Sequence, residues 1–183
     1  MKIIRFKHKG KINYGWIYEQ EVGLIEGELF NEYRRLETEL QLDRISYLSP
    51  VDPGKIVCVA RNYEEHAREH QVEVPEFPMI FLKPPSSVIS NGEVIKIPPQ
   101  SNQVEHEAEL AVVIGRTCKW IEPEAANQYI FGYTIANDVT ARDLQYKDGQ
   151  WTRAKGFDTF CPLGPWMETE LDPSDLLISC RVN

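Results

Sequence analysis

The chain has 183 residues, of which 42% are hydrophobic, which is enough for one compact domain with a small addition. Its 20 basic and 28 acidic residues give a net charge of −8, a sign that disfavours binding to nucleic acid or anionic lipid. No apolar run approaches the roughly 20 residues of a transmembrane helix, and the N-terminus lacks a secretory signal. The four cysteines form neither CxxC pairs nor zinc-finger spacing, so we expect reduced thiols in a cytoplasmic protein.

The N-terminal part of the chain predicts a small β domain. Residues 2–8 and 11–19 are rich in β-branched and aromatic side chains, and Gly10 between them indicates a hairpin. A short strand is expected over residues 22–25. Residues 31–41 are polar and charged, with apolar side chains at helical spacing, which predicts a helix.

A Pro- and Gly-rich connection over residues 48–54 predicts a boundary between a domain of residues 1–50 and a main domain of residues 51–183. In the main domain, strands are predicted over residues 55–60, 79–82, 104–114, 131–139, 166–169 and 176–182. Further predicted elements are a hairpin over 88–97 and helices over 61–74, 123–129 and 140–146. Strands dominate without regular alternation, so the predicted fold class is mixed β with short helices (α+β).

Acidic side chains alternate along the predicted strand 104–114, at Glu105, Glu107 and Glu109. Because side chains alternate between the two faces of a strand, we expect these three carboxylates on one face. Like charges side by side destabilise a strand, so either solvent at a wet edge or a bound cation must offset them. The apolar run that follows favours a cation, and oxygen-only ligands favour Mg²⁺ or Mn²⁺. Asp138 is a further carboxylate or, alternatively, a helix N-cap.

The segment around His66 is open to three interpretations. His66, Glu69 and His70 match the HxxEH pattern of inverted zinc metallopeptidases. However, the predicted helix is polar almost all round and Pro75 ends it, whereas a zinc-peptidase helix needs an apolar face. Alternatively, Glu69 orients His66 as a general base for water. A solvated surface helix is the third interpretation.

Three basic residues are candidates for contacts with acids. Lys83 and Lys155 lie near apolar or aromatic residues, which indicates partly buried lysines paired with acids; solvent-facing lysines are the alternative. Arg142 is either a surface cation or, beside a metal, a bidentate partner for a substrate carboxylate.

Several long segments together resemble the fumarylacetoacetate hydrolase superfamily, from about residue 48 to the end of the chain. The resemblance rests on His66, Glu69 and the ordered stretches 55–63, 81–84, 106–115, 132–143 and 151–162. The N-terminal β unit is similar to the small leading domain of bacterial members. The sequence is also similar to members named acylpyruvases and 2-hydroxyhepta-2,4-diene-1,7-dioate isomerases.

This resemblance implies a β-roll that binds Mg²⁺ or Mn²⁺. The implied metal ligands are Glu107, Glu109 and Asp138. The implied catalytic residues are His66, Glu69 and Lys155, the first two on a lid helix. The expected substrate contacts are Arg61, Lys83, Arg142 and Gln145.

Substrates of the family are 2-oxo acids or their enols. The resemblance implies that an enolate forms beside Lys155, which stabilises its negative charge. It also implies that His66, oriented by Glu69, activates water. The expected function is hydrolysis of a C–C bond in an acylpyruvate-type substrate or decarboxylation of oxaloacetate. Tautomerisation, as in the isomerases, is the alternative, because all three reactions share one enolate.

Two departures from the family pattern bear on activity. Ala60 stands where many relatives have glycine. The family also continues beyond the position of Asn183 with further strands and a loop that closes the site, so an inactive fragment is another hypothesis. We further expect a homodimer, a small 2-oxo acid as partner, and no nucleic-acid or membrane partner.

Overall fold

One long sheet connects the N-terminal strands to the rest of the protein in the computed structural model, which describes residues 1–63 and 75–182. Its N-terminal part is an antiparallel meander of β1 (Lys2–His8), β2 (Lys11–Tyr18), β3 (Glu21–Gly27) and β4 (Tyr33–Gln41). The short β5 (Ser46–Tyr47) pairs with the second half of β1.

The remaining elements of the described part are mostly strands. They are β6 (Ile56–Ala60), β7 (Met79–Lys83), β8 (Val88–Ile89), β9 (Val104–Glu105), β10 (Ala108–Ile114), β11 (Ile130–Asn137), β12 (Thr140–Ala141) and β13 (Cys161–Glu168). The helices are short, and they are α1 (Arg142–Asp148), α2 (Trp151–Lys155) and the 3₁₀ turns Leu42–Arg44, Pro85–Ser87 and Pro123–Tyr129. The predicted class of mixed β with short helices is confirmed.

Strand β13 lies inside the sheet beside β1, in the order β10-β11-β13-β1-β2-β3-β4. It pairs antiparallel with both β11 and β1, and its start pairs in parallel with β8. The amino group of Met1 forms an ion pair with Glu168 at the end of β13. The strands of residues 1–50 thus share a sheet with those of the main part, and the predicted domain boundary stays a prediction.

A hydrophobic cluster holds the two α-helices against the end of β11. It consists of Val139, Ala141, Leu144, Ala154 and Phe160, all at most 5% exposed. Burying a large apolar side chain contributes about 1.5–3 kcal/mol, so this cluster fixes the segment that carries Asp138, α1 and α2. No helix among the described residues is long and apolar enough to cross a membrane.

The helix predicted over residues 31–41 is wrong, because Tyr33–Gln41 is the strand β4. Leu36, Thr38 and Leu40 are less exposed than the residues between them, which is the period of two expected for a strand. The same apolar residues also fit a helical spacing. Pairing with β3, for example between Val22 and Leu40, decides the conformation.

Two further predicted elements are wrong. The hairpin predicted over 88–97 does not form, because β8 pairs in parallel with β13 and residues 93–98 are not in a strand. Within the described chain, the strand predicted over 176–182 is also absent, and Leu177 is 96% exposed. The helix predicted over 61–74 lies largely outside the described residues.

Candidate metal centre

The strand predicted over residues 104–114 is interrupted, and the interruption shapes the site. His106 and Glu107 lie between β9 and β10. The N–H of Glu107 donates to Oδ1 of Asn137 at 3.0 Å, and the Glu107 carbonyl accepts from the N–H of Asp138 at 2.9 Å. The prediction that Glu105 shares a face with Glu107 and Glu109 is therefore wrong, because the regular alternation stops at this break.

Three carboxylates meet where β10 and β11 lie side by side. One oxygen each from Glu107, Glu109 and Asp138 lies within 4.8 Å of the others. The antiparallel register explains this, since Glu109 lies opposite Ala136, two residues before Asp138. Asp138 is 3% exposed, and both glutamates are partly buried. The structure thus brings together the three residues that were predicted as metal ligands.

The donor set fits a hard divalent cation. Burial, followed by the negative charges of Asp138 and Glu107, raises the pKa of Glu109 to about 7, and the opposing effect of Lys155 and Lys83 is smaller. An ion that binds all three oxygens would relieve this repulsion. Carboxylate oxygens without sulfur or nitrogen ligands suit Mg²⁺ or Mn²⁺.

Two buried lysines flank Asp138, one on each carboxylate oxygen. Lys83 Nζ donates to Oδ1 at 2.5 Å, and Lys155 Nζ donates to Oδ2 at 2.5 Å. Lys83 also lies 3.4 Å from the carbonyl oxygen of Val139. Both lysine side chains are at most 3% exposed, so each ammonium needs an anionic partner to be stable inside the protein. The pairing of both lysines with an acid agrees with the interpretation from sequence.

Arg142, the first residue of α1, forms ion pairs with two glutamates. Its Nε donates to Glu105 at 2.8 Å, and its Nη1 donates to Glu107 at 2.7 Å and to Gln145 at 2.9 Å. Burial alone would raise the pKa of Glu107, but the charges of Lys155 and Arg142 outweigh it and lower that pKa. Arg142 and Gln145 are therefore placed beside a candidate ligand, and their contact with substrate stays a prediction.

Thr140 is a site residue that the sequence reasoning missed. It is fully buried, and its hydroxyl accepts from Lys155 Nζ at 2.8 Å and lies 3.0 Å from Oε1 of Glu107. The ring of Phe81 lies 5.0 Å from the same ammonium. Both residues lie inside stretches that carry the family resemblance, which is the signal that could have pointed to them.

Three predicted site residues remain, Arg61, His66 and Glu69. Arg61 follows β6, is exposed and has a positive φ of 55°, so its role stays a prediction. His66 and Glu69, and with them the HxxEH pattern that ends at His70, lie outside the described residues.

Comparisons with known proteins identify relatives of this chain. Residues 55–183 match the family described as fumarylacetoacetate (FAA) hydrolase C-terminal, and residues 1–50 match Rv2993c-like, N-terminal. The uncharacterized protein MJ1656 of Methanocaldococcus jannaschii is 57% identical over 136 residues, which are 74% of this chain and 57% of that protein. Oxaloacetate tautomerase Fahd2a, mitochondrial, of Rattus norvegicus is 45% identical over 158 residues, which are 82% of this chain and 50% of that protein.

A solved structure shows the same fold. The structure of 5-carboxymethyl-2-hydroxymuconate delta-isomerase from Mycobacterium smegmatis has a TM-score of 0.84 and 40% identity, covering 96% of this chain and 69% of that chain. This chain spans 57% of the length of the Methanocaldococcus protein and 50% of the rat protein. Because the family match covers most of its residues, the chain belongs to the fumarylacetoacetate hydrolase family.

Proposed function

We propose that this chain carries the centre of a divalent-metal-dependent enzyme that acts on 2-oxo acids or their enols. The observation that carries this proposal is the cluster of Glu107, Glu109 and Asp138, with Lys155 against two of its members. Three converging carboxylates and a buried ammonium form an unusual arrangement for a purely structural site, because perturbed and desolvated charges concentrate where chemistry occurs.

The chain's own residues have distinct roles in this proposal. A bound divalent ion would polarise the carboxylate and oxo oxygens of a 2-oxo acid and so favour its enolate. Lys155 Nζ would donate a hydrogen bond to the oxo oxygen as negative charge develops there. Arg142 keeps Glu107 ionised, and Lys83 neutralises Asp138.

The reaction that we propose is keto–enol tautomerisation of a 2-oxo dicarboxylic acid such as oxaloacetate. Two relatives support it by their names, the rat oxaloacetate tautomerase and the Mycobacterium smegmatis delta-isomerase. Both names describe a shift of a proton within an enolisable acid, which requires stabilisation of an enolate and no attack by water.

Hydrolysis of an acylpyruvate and decarboxylation of oxaloacetate form the second candidate. The sequence places His66 and Glu69 three residues apart, the spacing at which two helical side chains touch. Such a pair would supply the general base for water that hydrolysis needs. A homodimer and a cytoplasmic location are predictions that accompany either candidate.

Proton exchange tests the enolate step directly. Oxaloacetate and pyruvate are incubated with the protein and Mg²⁺ in D₂O, and loss of the proton signal at C3 is followed by NMR. We expect metal-dependent exchange, which Glu107→Gln abolishes and the exposed control Glu122→Gln preserves. A folded protein that binds Mg²⁺ but exchanges no protons would refute the proposal.

Acetylpyruvate separates the two candidate reactions. If cleavage of acetylpyruvate occurs and His66→Ala abolishes it without affecting Mg²⁺ binding, hydrolysis is the reaction. Proton exchange without cleavage favours tautomerisation. Loss of bound metal in His66→Ala would instead support the zinc-peptidase interpretation of the HxxEH pattern.

A further inference from the structure

Lys155 is the cation with the most contacts in the carboxylate cluster. Its Nζ lies 2.5 Å from Oδ2 of Asp138 and 3.1 Å from Oε1 of Glu107, so it touches two of the three candidate ligands at once. Lys83 touches Asp138 alone among these three. The ammonium of Lys155 therefore lies between carboxylates that a divalent ion would also bind.

The charges of the carboxylate cluster bear on how a divalent ion would bind there. Three carboxylates in a partly buried place repel one another, and the metal-free protein needs cations to hold them together. The ammonium groups of Lys155 and Lys83 and the guanidinium of Arg142 pair with Glu107 and Asp138, and Arg142 also pairs with Glu105. A divalent ion added to this cluster would compete with these cations for the oxygens of Glu107 and Asp138.

Lys155 also has partners that are not candidate ligands. The hydroxyl of Thr140 accepts from its Nζ at 2.8 Å, and the ring of Phe81 lies 5.0 Å away. Cations are attracted to the faces of aromatic rings at about this distance. An ammonium that leaves the carboxylates would keep these two neutral partners, and an incoming anionic oxygen would replace the carboxylates as its charged partner.

We propose that Lys155 is the internal cation of the metal-free centre and that a divalent ion binds in exchange for its contacts with Glu107 and Asp138. The released ammonium keeps its contacts with Thr140 and Phe81 and becomes available to an incoming oxo oxygen. This inference rests on the proposed function for the identity of the metal ligands. Binding of the metal and release of the Lys155 ammonium from the two carboxylates are then a single event.

Calorimetric titration of the metal-free chain with MgCl₂ tests the exchange without any substrate. Lys155→Met removes the competing cation, so we expect Mg²⁺ to bind at least about tenfold more tightly than to the wild type. Lys83→Met, which frees one ligand rather than two, should tighten binding less. The exposed Lys147→Met is the control for loss of one positive charge and should bind within about twofold of the wild type. Equal or weaker binding by Lys155→Met overturns the proposal.

A second measurement uses the unaltered protein, in case Lys155→Met does not fold. Reductive methylation is followed by peptide mass spectrometry with and without saturating Mg²⁺. We expect Lys155 to be modified faster when Mg²⁺ is bound, while the rate at Lys83 stays the same. Equal rates at Lys155 in both conditions overturn the exchange.

The outcomes separate this inference from the proposed function. If Lys155→Met binds Mg²⁺ more tightly than the wild type, the internal cation is supported. If the wild type also exchanges no protons with 2-oxo acids, the proposed enzyme activity is refuted. If the wild type shows metal-dependent proton exchange, the proposed enzyme activity is supported. If Lys155→Met then binds Mg²⁺ no more tightly than the wild type, the internal cation is refuted.

Discussion

Replacement of Glu109 by glutamine is expected to stabilise the metal-free protein at high pH. Burial and the charges of Asp138 and Glu107 raise the pKa of Glu109 from 4.5 to about 7. Because the pKa in the folded state lies above that of the unfolded chain, this stabilising contribution is complete below pH 4.5 and is lost as the pH rises through 7. Above pH 7 the folded protein bears the full cost of the ionised carboxylate, about 3 kcal/mol.

The neutral glutamine cannot ionise, so Glu109→Gln avoids that cost. We expect the variant to exceed the wild type in free energy of unfolding by up to about 3 kcal/mol at pH 8. At pH 4.5 the two proteins should differ little, since the wild-type side chain is then protonated in the folded state and half protonated in the unfolded chain, which leaves only about 0.4 kcal/mol. Titrating groups distant from Glu109 are common to the two proteins and cancel in the difference, whereas Asp138 and Glu107 are coupled to Glu109 and contribute to it.

Urea unfolding followed by circular dichroism, with EDTA present, measures this difference at the two pH values. Glu122→Gln is the matched control, because Glu122 is an exposed glutamate and its substitution should not change stability at either pH. A difference between Glu109→Gln and wild type that is the same at pH 4.5 and 8 would show that titration of Glu109 is not its cause. A variant less stable than wild type at pH 8 would refute the reasoning altogether.

Three further outcomes can be measured by unfolding. Asp138→Asn leaves the buried ammonium groups of Lys83 and Lys155 without their shared carboxylate, so urea unfolding should show a loss of about 3–5 kcal/mol; a loss below 1 kcal/mol contradicts the burial argument. Gly132→Ala would put a Cβ 2.6 Å from the backbone oxygen of Glu168, and we expect a loss of about 1–3 kcal/mol, visible as a lower Tm, whereas an unchanged Tm would refute the close approach. Mg²⁺ should raise Tm more at pH 8 than at pH 6, because metal binding requires loss of a proton from the cluster; equal shifts would contradict this.

The predictability of the fold depends on whether local and long-range signals agree. In the first hairpin, the turn at Gly10 and the β-branched residues on both sides indicate the same pairing, and the structure shows it. In residues 31–41 the spacing of Leu36 and Leu40 suits a helix as well as an alternating strand. Only the neighbouring β3 distinguishes the two, and a neighbour in space is not visible in the local sequence.

The candidate site also depends on contacts that are not visible in the local sequence. The nearness of Glu107 to Glu109 was predicted from alternation along one strand, but Glu107 lies just before β10, where its backbone is held by Asn137 and Asp138. The position of Asp138 depends on the register of β10 against β11, which the family resemblance implied and local patterns did not. The pairing of Glu105 with Arg142 was missed, because the break before β10 depends on a side-chain contact of Asn137.

The position of β13 beside β1 has a consequence for biosynthesis. Lys2 in β1 pairs with Glu168 in β13, and the two are 166 residues apart (168 − 2). The meander from β1 to β4 joins neighbours in sequence and can form as soon as it leaves the ribosome, whereas contacts between distant residues form slowly. The start of β1 therefore waits, with an open strand edge, until almost all of the described chain has been translated. During that interval the nascent protein is most exposed to association with other chains.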